Sequence, residues 1–393
     1  MRGRAVPLLL LLTGVLLVAA GVVILLERSR SPVAAPTVTS APPAAPGAAP
    51  APPPAPATTP LDTLVRQLQG FVERERGLTF KTPVKVSLLD DAAFGARVLQ
   101  TDDEDREEIE RAQLVLRAMG LLSRDVDLVK TVEGFVAAGV VGLYDPETKE
   151  LVVRGGELSP SVRVTLVHEL THALEDQHFN LDRKDLGDEA SLGFSALVEG
   201  SALRLDEAYK RSLSPAERAQ ARKEESAQVD RVPPNVPEVV QAALGFPYVF
   251  GEDVVSALLK TGGNTRLDAA FADPPSSTEQ VLDPRRYLNE DEPRAVPVPR
   301  ADLPAFDDGE IGQLFLLLML RSELGLNVAR DAAEGWGGDR YVAWRQGELT
   351  CVRMDFVMDN PAENDELVKA LSDWAQRRKG SASSAGASLT TCG

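Results

Sequence analysis

Only three histidines occur in the 393 residues, and all lie in one eleven-residue run, His168-Glu169-Leu170-Thr171-His172-Ala173-Leu174-Glu175-Asp176-Gln177-His178. His168 and His172 are four positions apart. At about 100° per helical residue they are rotated by only about 40°, so both rings can reach one cation. The pattern is the HExxH zinc motif. Two water-exposed helix histidines without a metal are the plainer alternative, but a chain this poor in histidine would form the motif by chance only about once in several hundred cases. Glu169 adds chemistry that a structural zinc site does not need. Such a site closes on four protein ligands, whereas a hydrolytic one keeps three and activates a water beside a carboxylate that takes its proton.

A third ligand has two candidates. His178 lies six residues after His172, the spacing of the metzincin pattern HExxHxxGxxH, but a continuous helix turns it about 120° away from His172. Metzincins break that helix with a glycine, and this chain has Glu175 there. The other candidate is Glu199, 27 residues beyond His172 in Ala196-Leu197-Val198-Glu199-Gly200-Ser201-Ala202. A carboxylate from a following helix completes a His₂Glu set, and the rotation argument favours it.

The elements that must position these groups can be read around them. Ser159 as N-cap and Pro160 at the first helical position open a helix to about Gln177, and a second helix is expected from Ala190 to about Lys210. Before them, Gly142-Leu143-Tyr144 and Glu150 to Arg154 flank the turn Asp145-Pro146-Glu147-Thr148, which predicts a β-hairpin. Upstream, Leu61, Leu64, Val65, Leu68, Phe71 and Val72 recur at helical spacing with Gly77 as a stop, and Val84 to Leu88 read as a strand. Thr101 with Glu104 forms a capping box for a helix closed by Gly120, its acidic run suiting the helix dipole. Downstream, an apolar helix Ile311 to Leu320 is expected to open on Asp307 or Asp308 and to end at Gly325. A strand is expected through Val352, Met354, Phe356 and Met358, and Asn360-Pro361 starts a last helix. No internal repeat is present.

Composition bounds the setting. Lys and Arg total 42 against 59 Asp and Glu, a net charge of −17, with no basic cluster, which disfavours nucleic-acid binding. Residues Pro7 to Leu26 form 20 uncharged positions, long enough at about 1.5 Å each to span a bilayer core. Residues 1–30 are therefore read as a membrane anchor, a cleaved signal peptide being the alternative. Residues 31–60 hold 11 prolines and no charge, the composition of an extended stalk. A stalk makes most sense outside the cytoplasm, where it would hold a domain, residues 61–380, of net charge −20 counted over residues 61–393. Residues 381–393 read as a flexible tail. Cys351 and Cys392 form one bridge in an oxidising compartment or remain two thiols.

Several segments carry a family resemblance. Tyr144-Asp-Pro-Glu-Thr-Lys-Glu-Leu151, His168 to Phe179 and Leu197-Val-Glu-Gly-Ser-Ala202 resemble gluzincin-type zinc metallopeptidases. More closely, with Pro274 to Pro284 and Gly335 to Tyr341, they resemble a largely uncharacterised group of bacterial membrane-anchored peptidases. The resemblance implies an α+β zincin-like fold whose HExxH helix follows the hairpin, zinc on His168, His172 and Glu199, Glu169 as general base, and peptide substrates. Some gluzincins place an Asp four residues after the ligand Glu to orient a histidine. This chain has Leu203 there, leaving Asp206 or Ser195 for that role. For oxyanion stabilisation the candidates are Arg340 and Tyr341 after Trp336-Gly337-Gly338, with Tyr287 behind them, although Trp336 and Tyr341 packing a turn is the plainer reading. The expected activity is zinc-dependent peptide hydrolysis by a membrane-tethered domain. The alternative is a zinc-stabilised binding or scaffold module without turnover, and Glu169 is the residue that discriminates, since a scaffold does not require it.

Overall fold

The computed structural model describes residues 59–99 and 103–393. The expected anchor, the stalk up to residue 58 and the capping residue Thr101 lie outside the described residues. Helix α1 (Pro60–Arg76) opens on a capping box in which Thr59 Oγ1 accepts from the Asp62 N–H and the Asp62 carboxylate accepts from the Thr59 N–H. Strand β1 (Lys85–Leu89) and helices α2 (Asp91–Val98), α3 (Asp103–Ala118) and α4 (Leu128–Gly139) follow. They lead into the hairpin of β2 (Gly142–Asp145) and β3 (Glu150–Arg154), where Asp145 Oδ1 accepts from the Glu147 and Thr148 N–H groups. These strands form a sheet of order β1-β3-β2, with β1 parallel and β2 antiparallel to β3, so that β2 is an edge.

Helices α5 (Pro160–Phe179) and α6 (Asp188–Ser212) come next. Apolar residues surround α5 on nearly all sides, as expected of a helix enclosed by protein. Val164, Val167, Leu170 and Leu174 pack with Tyr144, Leu151 and Val153 of the sheet and with Val65, Leu68 and Val72 of α1. After α7 (Pro215–Val229), the segment α8 (Glu238–Ala272) is, among the described residues, the one helix long and apolar enough to cross a membrane. Its backbone leaves helical geometry at Gly262 and Gly263, and its first part crosses α6 as a core element. The crossing requires glycine on both sides: a Cβ on Gly251 would collide with the Ala196 carbonyl, and one on Gly200 with the Gly251 backbone.

Short helices α9 (Thr278–Leu282) and α10 (Pro284–Leu288) precede the C-terminal region, which comprises β4 (Ala305–Gly309), α11 (Gly312–Leu324), α12 (Leu326–Ala333), β5 (Trp336–Gln346), β6 (Leu349–Met358), α13 (Pro361–Arg377), β7 (Ala382–Ala385) and β8 (Ser388–Cys392). Its antiparallel sheet has the order β4-β5-β6-β8-β7. The chain is thus α+β, with the larger hydrophobic core running from the helices into this second sheet.

Two expectations are corrected here. Asp307 and Asp308 do not open α11 but lie in β4. The cap comes from Asp339 of β5, whose carboxylate accepts from the Ile311 and Gly312 N–H groups at 2.9 and 2.8 Å and from Trp336 Nε1 at 2.8 Å. Residues 381–393 are not a flexible tail: β8 pairs with β6, Leu389 is fully buried, and Cys351 and Cys392, opposite each other in register, form a disulfide. The Ser and Thr residues of β8, a strand paired on both sides, carry little apolar signal of their own.

Candidate metal centre

The helix that bears the histidines is continuous from Pro160 to Phe179, started by Ser159 and Pro160. Positions seven apart on it return to nearly the same face, about 20° off. His168 and Glu175 therefore share one face, turned toward α6, and Glu169 and Asp176 share another, turned toward β2.

On the first face, one nitrogen each of His168 and His172 and one oxygen of Glu199 lie within 4.8 Å of one another. His168 Nε2 is 3.1 Å and His172 Nε2 3.6 Å from Glu199 Oε2. Both histidines are fully buried and Glu199 is 3% exposed. Neither nitrogen of His172 has a hydrogen-bond partner, which is costly for a buried imidazole and fits a cation as the missing neighbour. Two imidazoles and a carboxylate are a donor set that could hold a metal ion. Burial favours the neutral His168 ring, but the charges and hydrogen bonds of Asp206 and Glu199 outweigh it and hold its pKa well above the usual value. Burial raises the Glu199 carboxyl, but the charge of His172 together with the hydrogen bond and charge of His168 holds it low. Of the two residues left open to orient a histidine, Asp206 does so, its Oδ2 2.9 Å from His168 Nδ1. Ser195 bonds neither ring.

On the other face, Glu169 Oε2 accepts from the Tyr144 N–H at 2.7 Å. The approach depends on Gly142, where a Cβ would come within 2.9 Å of Glu169 Oε1. Burial pushes the Glu169 carboxyl up to about 7, with the two histidine charges pulling against it. Asp176 Oδ2 accepts from Tyr144 Oη and Lys149 Nζ, both at 2.7 Å, and so pins the hairpin to the helix. The Tyr144 and Asp176 contacts were missed in the sequence. The heptad spacing of Glu169 and Asp176 was the available signal, but it does not say what faces them.

The remaining candidates are placed elsewhere. His178 is turned off the metal face, and its Nε2–H donates to the Thr79 carbonyl at 2.8 Å. Tyr341 Oη donates to Asp307 Oδ2 at 2.8 Å, and Arg340 pairs with Asp308 and Glu310 at 3.2 Å each. A Cβ on Gly309 would sit 2.6 Å from Asp188 Oδ2 and 3.1 Å from Tyr341 Oη, which puts Tyr341 at the start of α6. Glu199 is eleven residues further along, about 16 Å of helix. Arg340 and Tyr341 are thus not brought to the histidines, and Tyr287 bonds the Asp273 carbonyl.

A family model described as a domain of unknown function, DUF8575, matches residues 302–391, from just before β4 into β8. That stretch includes Arg340 and Tyr341 but none of His168, Glu169, His172 and Glu199. No curated protein and no solved structure matches the chain.

Proposed function

We propose that the chain is a gluzincin-type peptidase with a zincin-like fold, acting on peptides or proteins outside the cytoplasm while tethered to a membrane by its N-terminal segment. The observation that carries this reading is Glu169: a fully buried carboxyl held by the Tyr144 N–H, one residue from a donor and outside the donor set. His168, His172 and Glu199 would hold zinc, with Asp206 orienting His168. When bound, zinc supplies Lewis acidity to a substrate carbonyl and acidifies water. Glu169, positioned by the Tyr144 N–H, takes up a proton and returns it to the leaving amine. Edge strand β2 lies beside Glu169 and is the strand offered to an extended substrate. The disulfide supports an oxidising compartment.

One observation favours the alternative of a metal-stabilised module without turnover. His168, Glu169 and His172 are fully buried, so a peptide must displace something to reach them. Substitution Glu169→Gln separates the two readings. A hydrolase keeps its zinc and loses peptide cleavage by about 10²-fold or more, the scale of a general base. Equal zinc-dependent cleavage by both proteins refutes the mechanism, and no cleavage by either across a broad peptide library favours the module.

A further inference from the structure

Glu175, three residues beyond His172 on the metal-facing side of α5, is fully buried. Its Oε1 accepts from Ser201 Oγ at 2.5 Å and from Arg76 Nε at 2.6 Å. Ser201 stands two residues after Glu199 on α6, and Arg76 is the last residue of α1. The guanidinium of Arg76, also fully buried, reaches Asp268 Oδ1 at 2.5 Å and lies 5.6 Å from the ring centres of both Phe179 and Phe271. Arg76 Nη2 and Glu175 Oε2 have no hydrogen-bond partner.

A buried ion pair is a poor source of net stability, because desolvating two charges offsets most of their attraction, and apolar replacements often do as well. What such a pair does fix is geometry. One carboxylate oxygen here joins α5 to α6 and α1 within a few residues of the place where His172 and Glu199 must meet. The His168–Asp206 contact supports the other histidine of the donor set. We infer that Glu175 is a positioning residue for the metal centre: with Ser201 and the counter-charge of Arg76, it sets the α5–α6 spacing at which His172 and Glu199 share one ion. Arg76 thereby makes α1 part of the metal site's support. This inference rests on the metal reading above.

The test measures zinc affinity of the full chain by competition with a chromophoric chelator, alongside thermal melting of the metal-free protein. Ser201→Ala removes one hydroxyl, and Glu175→Gln removes the charge. Both are expected to weaken zinc binding by about 10-fold or more, the usual cost of losing a ligand's support. Asp268→Asn, which removes the other partner of Arg76, should leave zinc affinity unchanged. A purely structural network would lower melting in all three variants and leave zinc affinity as in wild type, which overturns the inference. If Glu175→Gln fails to fold, Ser201→Ala decides alone. A wild-type chain that takes up no zinc overturns the metal reading together with this inference, whereas wild-type affinity in Ser201→Ala overturns this inference only.

Discussion

Asp206 Oδ2 lies 2.9 Å from one nitrogen of His168, while Glu199 Oε2 lies 3.1 Å from the other nitrogen of the same ring. The two carboxylates are seven residues apart on α6, nearly two full turns, so one helix face supplies both a donor and the group that orients its neighbour. Replacing Asp206 by alanine should weaken metal binding by about 10- to 100-fold with the fold retained. Chelator competition on the folded variant measures it, and wild-type affinity would show that the ring is held by packing alone.

Arg340 and Tyr341 have other partners, and these give a contrasting expectation. Arg340→Ala removes half-exposed ion pairs of about 0–1 kcal/mol. Tyr341→Phe removes a buried hydroxyl bonded to Asp307, a loss of about 1–3 kcal/mol. Both should lower melting temperature in that order and leave cleavage per bound zinc as in wild type. A 100-fold loss of cleavage in either, with the fold intact, would return that residue to the chemistry.

The parts of the centre legible in the sequence are those set by local spacing. Ser159 and Pro160 mark the start of α5, the Asp145 turn marks the hairpin, and the four- and seven-residue periods place His168, His172, Glu175 and Asp206 on their faces without any tertiary knowledge. The illegible contacts join residues far apart in the chain. Asp339 caps a helix 27 residues upstream at Gly312 and Glu169 binds the N–H of Tyr144 25 residues back. Neither leaves a periodic trace. Strand β8 was hidden for a related reason: it is held by pairing with β6, more than 30 residues earlier, and Leu389 is its one strongly apolar core residue, too little to make a periodic pattern.

Acid-to-neutral pH is expected to weaken the junction between α6 and the C-terminal region. Glu189, in the first turn of α6, is 2% exposed, accepts at Oε2 from the Thr278 N–H and hydroxyl at 2.7 Å each, and lies where a Cβ on Gly312 would collide with it. Burial pushes its carboxyl up to about 8 against the pull of Thr278, with Asp339 and Glu310 adding to the rise. Asp339 itself is pushed up to about 6 by burial. The folded chain therefore holds protons that the unfolded chain has released above about pH 4.5, and stability falls as pH rises through that window, by about 1.4 kcal/mol per pH unit for each such proton. Melting temperature should decline from pH 5 to pH 8, and Glu189→Gln should remove about one proton's share of that decline. A variant with the wild-type slope would show that Glu189 ionises normally in the folded protein.

The closed geometry of the centre leads to a kinetic expectation. His168 and His172 are fully buried and Glu199 is 3% exposed, so a metal ion held there could pass to a chelator only when the surrounding structure opens. The rate of metal loss to a strong chelator should therefore rise with its concentration at first and then level off at the opening rate. Such a plateau also bounds function. Enzymes that close over their substrates open on microsecond-to-millisecond timescales, and typical turnover lies at about 1–10³ per second. A plateau within or above that range would be compatible with peptide entry on each cycle. One slower than about once per hour would leave no route for turnover at that rate and would favour the metal-stabilised module. A rate that climbs linearly at all concentrations would mean that the centre is open to water in solution.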